Sequence, residues 1–171
     1  MHTTTQLPDA MPDIEKPTLL VICDTHHCRI IDVGGKTVMT HGQVDSKEHA
    51  TTDRPDKMGS PTGMTHGAVE MDQVEGNRLH EFSNVVSKHL DDVVRDQKIE
   101  EIYIAAPDKF LAEFKKHLSK HTMSITKKII DGNFMHESLH QILIRLRPDL
   151  EEAIKKLRAQ ENYSEKNHLP Q

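Results

Sequence analysis

Two apolar runs that follow each other closely constrain the fold of this chain most strongly. Residues 18–24 read TLLVICD and residues 28–33 read CRIIDV, with three residues between them. Runs of this length that are rich in Val, Ile and Leu, on either side of a short polar stretch, are typical of two adjacent strands. A Gly-Gly turn then precedes a third short strand, which the sequence predicts over residues 34–41.

Helical and strand patterns alternate in the second half of the chain. Apolar side chains recur every three or four residues over 77–97 and predict an amphipathic helix. Strands are predicted over 99–106 and 123–130, with a second helix after Pro107 and a third over about 135–146. Because helices separate the last strands, those strands should run parallel. The predicted fold class is α/β, a mixed sheet with helices packed on it.

The segments outside this pattern define the expected domain organisation. Residues 1–16 show no hydrophobic period and predict a disordered leader. Residues 17–147 are of a size for one domain, and residues 148–171 predict a charged helical tail. Within the domain, residues 42–76 contain five glycines, two prolines and few large apolar side chains, which predicts a long mobile loop. Such loops in compact domains are usually functional or disordered.

The charge balance limits the binding partners that the chain could have. Its 22 basic and 27 acidic residues give a net charge of -5, which argues against a generally basic nucleic-acid binder. One local basic run remains, opposed between positions 108 and 128 only by Asp108 and Glu113. This run predicts either an ordinary solvated helix face or a phosphate-contacting surface, and its lysines are Lys109, Lys115, Lys116, Lys120, Lys127 and Lys128.

The sequence gives little indication of a membrane segment or of disulfide bonds. No apolar run reaches transmembrane length and the N-terminal residues are polar, so we expect no membrane insertion, a cytoplasmic location and no cofactor. Cys23 and Cys28 lie five residues apart across a predicted turn and are expected to be buried strand thiols. The alternative is a metal cluster with His26 and His27.

A second candidate metal site has the H-E-x-x-H order of zinc peptidases. His136, Glu137 and His140 would lie on one helix, with two imidazoles one turn apart holding the ion and the carboxylate activating water. The chain has 13 histidines, and random placement at that density would produce this order in roughly one such chain in fifteen or twenty. A zinc-dependent hydrolase is therefore an alternative hypothesis and not the leading one.

Several segments resemble a known family. LLVICDTHHCRIIDV, the long helix, IYIAAPDKFLAEFKKHL and KKIIDGNFMHESLHQIL resemble, in this order, the bacterial host-attachment protein family. That family belongs to a wider group that is similar to the middle domain of eukaryotic and archaeal peptide-chain release factors. The resemblance covers roughly residues 18–146, and it implies a ribonuclease-H-like or release-factor middle-domain-like fold.

The resemblance also implies where function would lie. In release factors a loop at the position of residues 42–76 carries Gly-Gly-Gln, which this chain lacks, so ester hydrolysis is not implied. The loop candidates here are Gly63 and Gly67 for backbone freedom and His66 as an acid or base. Asp24 could ligate a metal as in nucleases of that fold, but a turn-capping role is preferred. The leading hypothesis is a translation- or RNA-associated factor that binds the ribosome or RNA. A zinc hydrolase and a non-catalytic protein-interaction module are the alternatives.

Overall fold

A mixed sheet lies at the centre of the structure. The computed structural model describes residues 3–47 and 66–167, and for helix residues 66–72 and 161–167 it describes the backbone alone. The strands are β1 (Thr3–Gln6), β2 (Ile14–Cys23), β3 (His27–Gly35), β4 (Thr37–Asp45), β5 (Glu101–Ala106) and β6 (Thr126–Asp131). They are arranged in the order β1-β4-β3-β2-β5-β6.

Both kinds of strand pairing that the sequence predicts are present. The first apolar run, in β2, pairs antiparallel with β3, and β3 pairs antiparallel with β4. On its other side β2 pairs parallel with β5, which pairs parallel with β6. Val21 thus lies between Ile30 of β3 and Ile104 of β5. A strand in this central position is buried on both faces, which explains why its sequence is continuously apolar.

Helices cover the two faces of the sheet and confirm the predicted α/β class. Their bounds are α1 (His66–Asp96), α2 (Asp108–His117), α3 (Lys120–Ile125), α4 (Leu139–Leu146) and α5 (Pro148–Asn167). Leu19 and Val21 face a cluster formed with α1 and α2, and Leu20 and Ile22 face a cluster formed with α4 and α5. None of the described helices is both long and apolar enough to cross a bilayer.

The prediction of a disordered leader over residues 1–16 is wrong for residues 3–16, the part of it that the structure describes. Strand β1 pairs antiparallel with β4, and Leu7, Met11 and Ile14 are buried against the sheet face that also carries α4 and α5. The exposed edge of β4 provides backbone groups for one more strand, and three apolar side chains then cover part of the core. Their spacing of four and three residues is that of a helix face, but Pro8 and Pro12 lie between them and the segment has no strand period, so the sequence pattern does not reveal how they pack.

The predicted loop over residues 42–76 is wrong at both ends. Strand β4 continues to Asp45, and helix α1 already begins at His66. The side chains of residues 73–77 are all exposed, so this part of α1 has no apolar face against the core. Without that face the early turns of the helix carry no amphipathic period, and the glycines within them suggested a loop.

Two predicted boundaries in the last third also need correction. Residues 123–125, predicted as strand, belong to α3, whose N-cap Ser119 accepts a hydrogen bond from the backbone N–H of Thr122. Residues 135–138, predicted as helix, precede α4. The segment predicted as a charged tail is helical, as expected, but Leu150 and Ile154 of α5 are buried in the core.

Candidate functional site

The structure describes the glycine-bearing segment only in part. Gly63 lies outside the described residues, and His66 and Gly67 are the first two residues of α1, where the backbone alone is described. A cleft of about 220 Å³ lies between the end of β4 and α1. It is lined in part by Lys47, the last described residue before the gap at 48–65. Arg78 and Glu81 of α1 line it, so the cleft carries charges of both signs. The catalytic role of the loop candidates stays a prediction.

The predicted basic run is divided by the sheet. Side chains on a strand alternate between faces, and in β6 Ile129 packs on the α1–α2 side whereas Ile130 packs on the α4–α5 side. Lys127 is the extra residue of a β-bulge, because Thr126 pairs with Ile102 and Lys128 pairs with the next residue, Tyr103. Regular alternation resumes after the bulge, and Ile129 faces the α1–α2 side. Lys128 points to the opposite face, where its Nζ donates to the backbone oxygen of Arg145 at 3.4 Å.

The other five lysines lie on α2, at the start of α3 and in the bulge at the start of β6. We call this set the α2–α3 basic surface, and it consists of Lys109, Lys115, Lys116, Lys120 and Lys127. All five side chains belong to exposed residues. Exposed lysines of one sign on consecutive elements produce a local positive potential, even though the whole chain is acidic.

Hydrogen bonds at the element ends fix the position of this surface. The backbone N–H of Asp108, the first residue of α2, donates to the Asp131 carboxylate at the end of β6 at 2.8 Å. The Ser119 hydroxyl, which caps α3, donates to Asp91 of α1 at 2.9 Å. The elements that carry the lysines are thus tied to the sheet edge and to α1.

Ion pairs engage some of these lysines and not others. Lys109 Nζ lies 3.3 Å from Glu75, and Lys116 Nζ lies 2.7 Å from Glu113. Lys115, Lys120 and Lys127 form no ion pair with another described residue. Exposed lysines without a carboxylate partner are the ones that can neutralise an external phosphate at the smallest cost.

The H-E-x-x-H residues do not share a helix. Ser138 caps α4 in a reciprocal capping box with Gln141, so the helix begins after His136 and Glu137. Glu137 contacts Arg145 at 3.0 Å, and the Nδ1 atom of His140 lies 3.3 Å from the sulfur of Met11. The helical spacing on which the hydrolase hypothesis depends is therefore absent.

Asp24 closes the turn between β2 and β3, as the preferred interpretation of the sequence has it. Its Oδ1 accepts hydrogen bonds from the backbone N–H groups of His26 and His27, both at 2.7 Å. Burial alone would raise the pKa of Asp24, but these hydrogen bonds outweigh burial and lower it. The carboxylate acts as a structural cap here.

Cys23 and Cys28 are buried thiols on β2 and β3, as expected, and they lie directly opposite each other in the strand register. Burial raises the pKa of the Cys23 thiol well above its ordinary value, and the neighbouring Cys28 raises it further. A thiol in this environment is protonated and is a poor metal ligand or nucleophile.

Sequence motifs do not reveal one cluster of side chains that could together hold a metal ion. His80 of α1 meets Glu113 and His117 of α2, and one ligand atom from each residue lies within 4.8 Å of the others. Glu113 and His117 are one helical turn apart, which is a visible signal. His80 is distant in sequence, so only the packing of α1 on α2 completes the group.

The chain matches the model of one known protein family. A family model described as bacterial archaeo-eukaryotic release factor family 12 matches residues 17–146, about three quarters of the chain. This match supports the release-factor part of the resemblance noted in the sequence. Among curated proteins, none matches the chain.

Solved structures show only distant similarity. The crystal structure of an archaeal translation termination factor, aRF1, has a TM-score of 0.49 and 11% sequence identity, over 86% of this chain and 39% of that chain. A structure described as an archaeal protein has a TM-score of 0.44 and 9% identity, over 86% of this chain and 40% of that one. The chain thus spans about two fifths of the length of these two proteins.

Proposed function

The chain belongs to bacterial archaeo-eukaryotic release factor family 12, and from this premise we propose that it is a translation-associated factor that binds the ribosome through RNA phosphates. The contact surface in this proposal is the α2–α3 basic surface. The family match is the observation that carries the proposal, because it relates the chain to release factors. A factor of this kind would work in the cytoplasm.

The chemistry of the surface supports phosphate contact over base recognition. Lysine ammonium groups attract phosphate as point charges, and each contact releases counterions from the nucleic acid. The Phe, Tyr and Trp side chains between residues 108 and 128 are Phe110 and Phe114, and both are buried in the core. Neither can stack on a base, so binding through this surface would follow backbone geometry and not sequence.

The proposal assigns no catalytic step. Gly63, His66 and Gly67 remain candidates for the functional part of the segment predicted as a loop over residues 42–76, and the chain lacks the Gly-Gly-Gln triplet of release factors. Since the H-E-x-x-H residues do not lie on one helix, a zinc hydrolase is not proposed.

Co-sedimentation with purified ribosomes tests the proposal. The full chain should pellet with ribosomes at low salt and stay in the supernatant at high salt, because counterion release makes phosphate binding salt-dependent. The double variant Lys115→Ala/Lys120→Ala should pellet several-fold less at low salt. Both residues are exposed and without ion pairs to described residues, so the fold should be unaffected.

A variant of equal charge serves as the control. Lys155→Ala/Lys156→Ala removes two exposed lysines from α5, on the opposite face of the sheet, and should pellet like the wild type. Pelleting that resists high salt, or that both double variants reduce equally, would contradict the proposed surface. No pelleting at any salt concentration would favour a protein-interaction module instead.

A further inference from the structure

The group formed by His80, Glu113 and His117 has the donor types of a zinc site. The Nδ1 atom of His80 lies 2.7 Å from Glu113 Oε1, and the Nε2 atom of His117 lies 3.4 Å from the same oxygen. The two imidazole rings meet edge to face, with centroids 4.7 Å apart. Two imidazoles and one carboxylate are ligands that zinc accepts, with a fourth position left for water.

The distances between the ligand atoms suit a single ion. Zinc bonds of about 2.0–2.2 Å in a tetrahedron place ligand atoms roughly 3.3 Å apart. The observed separations of 2.7 Å and 3.4 Å lie on either side of that value, and all three ligand atoms fall within 4.8 Å of one another. Small rotations of exposed or half-buried side chains would adjust them, without a change in the backbone.

The packing of α1 on α2 holds the ligands close together in advance. Phe82 of α1 lies against Phe110 of α2 with ring centroids 5.5 Å apart, and Phe110 lies against Phe114 at 5.0 Å. All three rings are buried in one cluster. His80 lies two residues before Phe82 and Glu113 lies next to Phe114, so a fixed core contact limits how far apart the ligands can be.

The charge on Glu113 also suits metal binding. A glutamate side chain is an anionic carboxylate at neutral pH, and a carboxylate oxygen is a ligand that zinc accepts. Lys116 contacts Oε2 at 2.7 Å, which leaves Oε1, the atom that faces both imidazoles, for an ion. Lys116 thereby serves as an outer partner that orients the ligand.

We propose that His80, Glu113 and His117 form a zinc-binding site that links α1 to α2. The ion has three protein ligands and one water at the surface. Its effect is structural: bound zinc joins two helices that are otherwise held by their apolar contact, and it stabilises the folded chain as the zinc concentration rises. The site does not depend on the proposed ribosome contact.

Zinc titration of the metal-free full chain tests this proposal. The wild type should bind one zinc ion tightly in competition with a chromogenic chelator, and zinc should raise its unfolding temperature. His80→Ala and His117→Ala should each weaken that binding by at least about 100-fold, because loss of a ligand exceeds the effect of losing an outer partner. The rise in unfolding temperature should disappear with it.

Controls distinguish this site from the other histidines of the chain, 13 in all. His121→Ala removes an exposed imidazole on α3, and His136→Ala/His140→Ala removes those of the H-E-x-x-H order; both variants should bind zinc like the wild type. Unfolding without zinc shows whether each variant folds. Tight binding that survives in both His80→Ala and His117→Ala, its loss only in His136→Ala/His140→Ala, or its absence from the wild type would overturn the proposal.

Discussion

The turn after β6 requires a glycine at position 132. Its φ is +148°, and a Cβ atom placed there would lie 2.7 Å from the ring of Phe134. Gly132→Ala should therefore destabilise the protein by about 1–3 kcal/mol, through backbone strain and displacement of that ring. Chemical denaturation of the variant measures this change in the free energy of unfolding.

Gly34 provides the control for this prediction. Nothing lies within 4 Å of a Cβ atom built at Gly34, and its φ is not in the left-handed range. Gly34→Ala should change the free energy of unfolding by less than about 1 kcal/mol. Equal stability losses for the two variants would show that the described turn geometry at Gly132 is incorrect.

Residues whose role is local were the most predictable from the sequence. The capping role of Asp24 follows from a side chain that acts within two or three positions of itself. His136 and His140 show the opposite case, because their spacing has meaning only inside a helix. Ser138 and Gln141 start that helix too late for both to lie on it. The His80–Glu113–His117 group could not be predicted, because it requires a contact between two helices.

At the scale of elements, the N-terminal segment gives the sharpest test. Met11 is fully buried in the cluster that includes α4 and α5, although it lies outside any regular strand or helix. Met11→Ala should lower the free energy of unfolding by about 2–5 kcal/mol, since it leaves a cavity in a packed core. Met123, which is 40% exposed on α3, is the control, and Met123→Ala should cost less than about 0.5 kcal/mol. If Met11→Ala had no effect, the predicted disordered leader would be correct after all.

The elements that the sequence predicted well are those with an apolar period of their own. Strands β2, β3 and β5 and helix α2 pack directly on the core, and burial imposes that period on their sequences. Strand β1 has four exposed residues and is held by pairing with β4. Residues 73–77 of α1 are likewise exposed. Backbone hydrogen bonds and not side-chain burial maintain these parts, so hydrophobic patterning cannot report them.

At the scale of the whole molecule, a net charge of -5 coexists with five exposed lysines on neighbouring elements. The fold produces this arrangement by placing α2, α3 and the start of β6 next to one another at one edge of the sheet. The sequence predicted the basic run, but it did not predict that Lys128 would lie on the opposite face of the sheet from the lysines of α2. The face of a strand residue can be assigned only when the strand register is known. The central claim is therefore that five lysines, and not six, act together.

The salt dependence of ribosome binding tests this claim most directly. The affinity of the full chain for purified ribosomes, measured over a series of salt concentrations, should fall linearly on a log–log plot. The slope should be shallower by about two for Lys115→Ala/Lys120→Ala, which removes two phosphate contacts, and should be unchanged for Lys128→Ala. A slope that is the same for the wild type and Lys115→Ala/Lys120→Ala, or binding that does not respond to salt, would contradict the account.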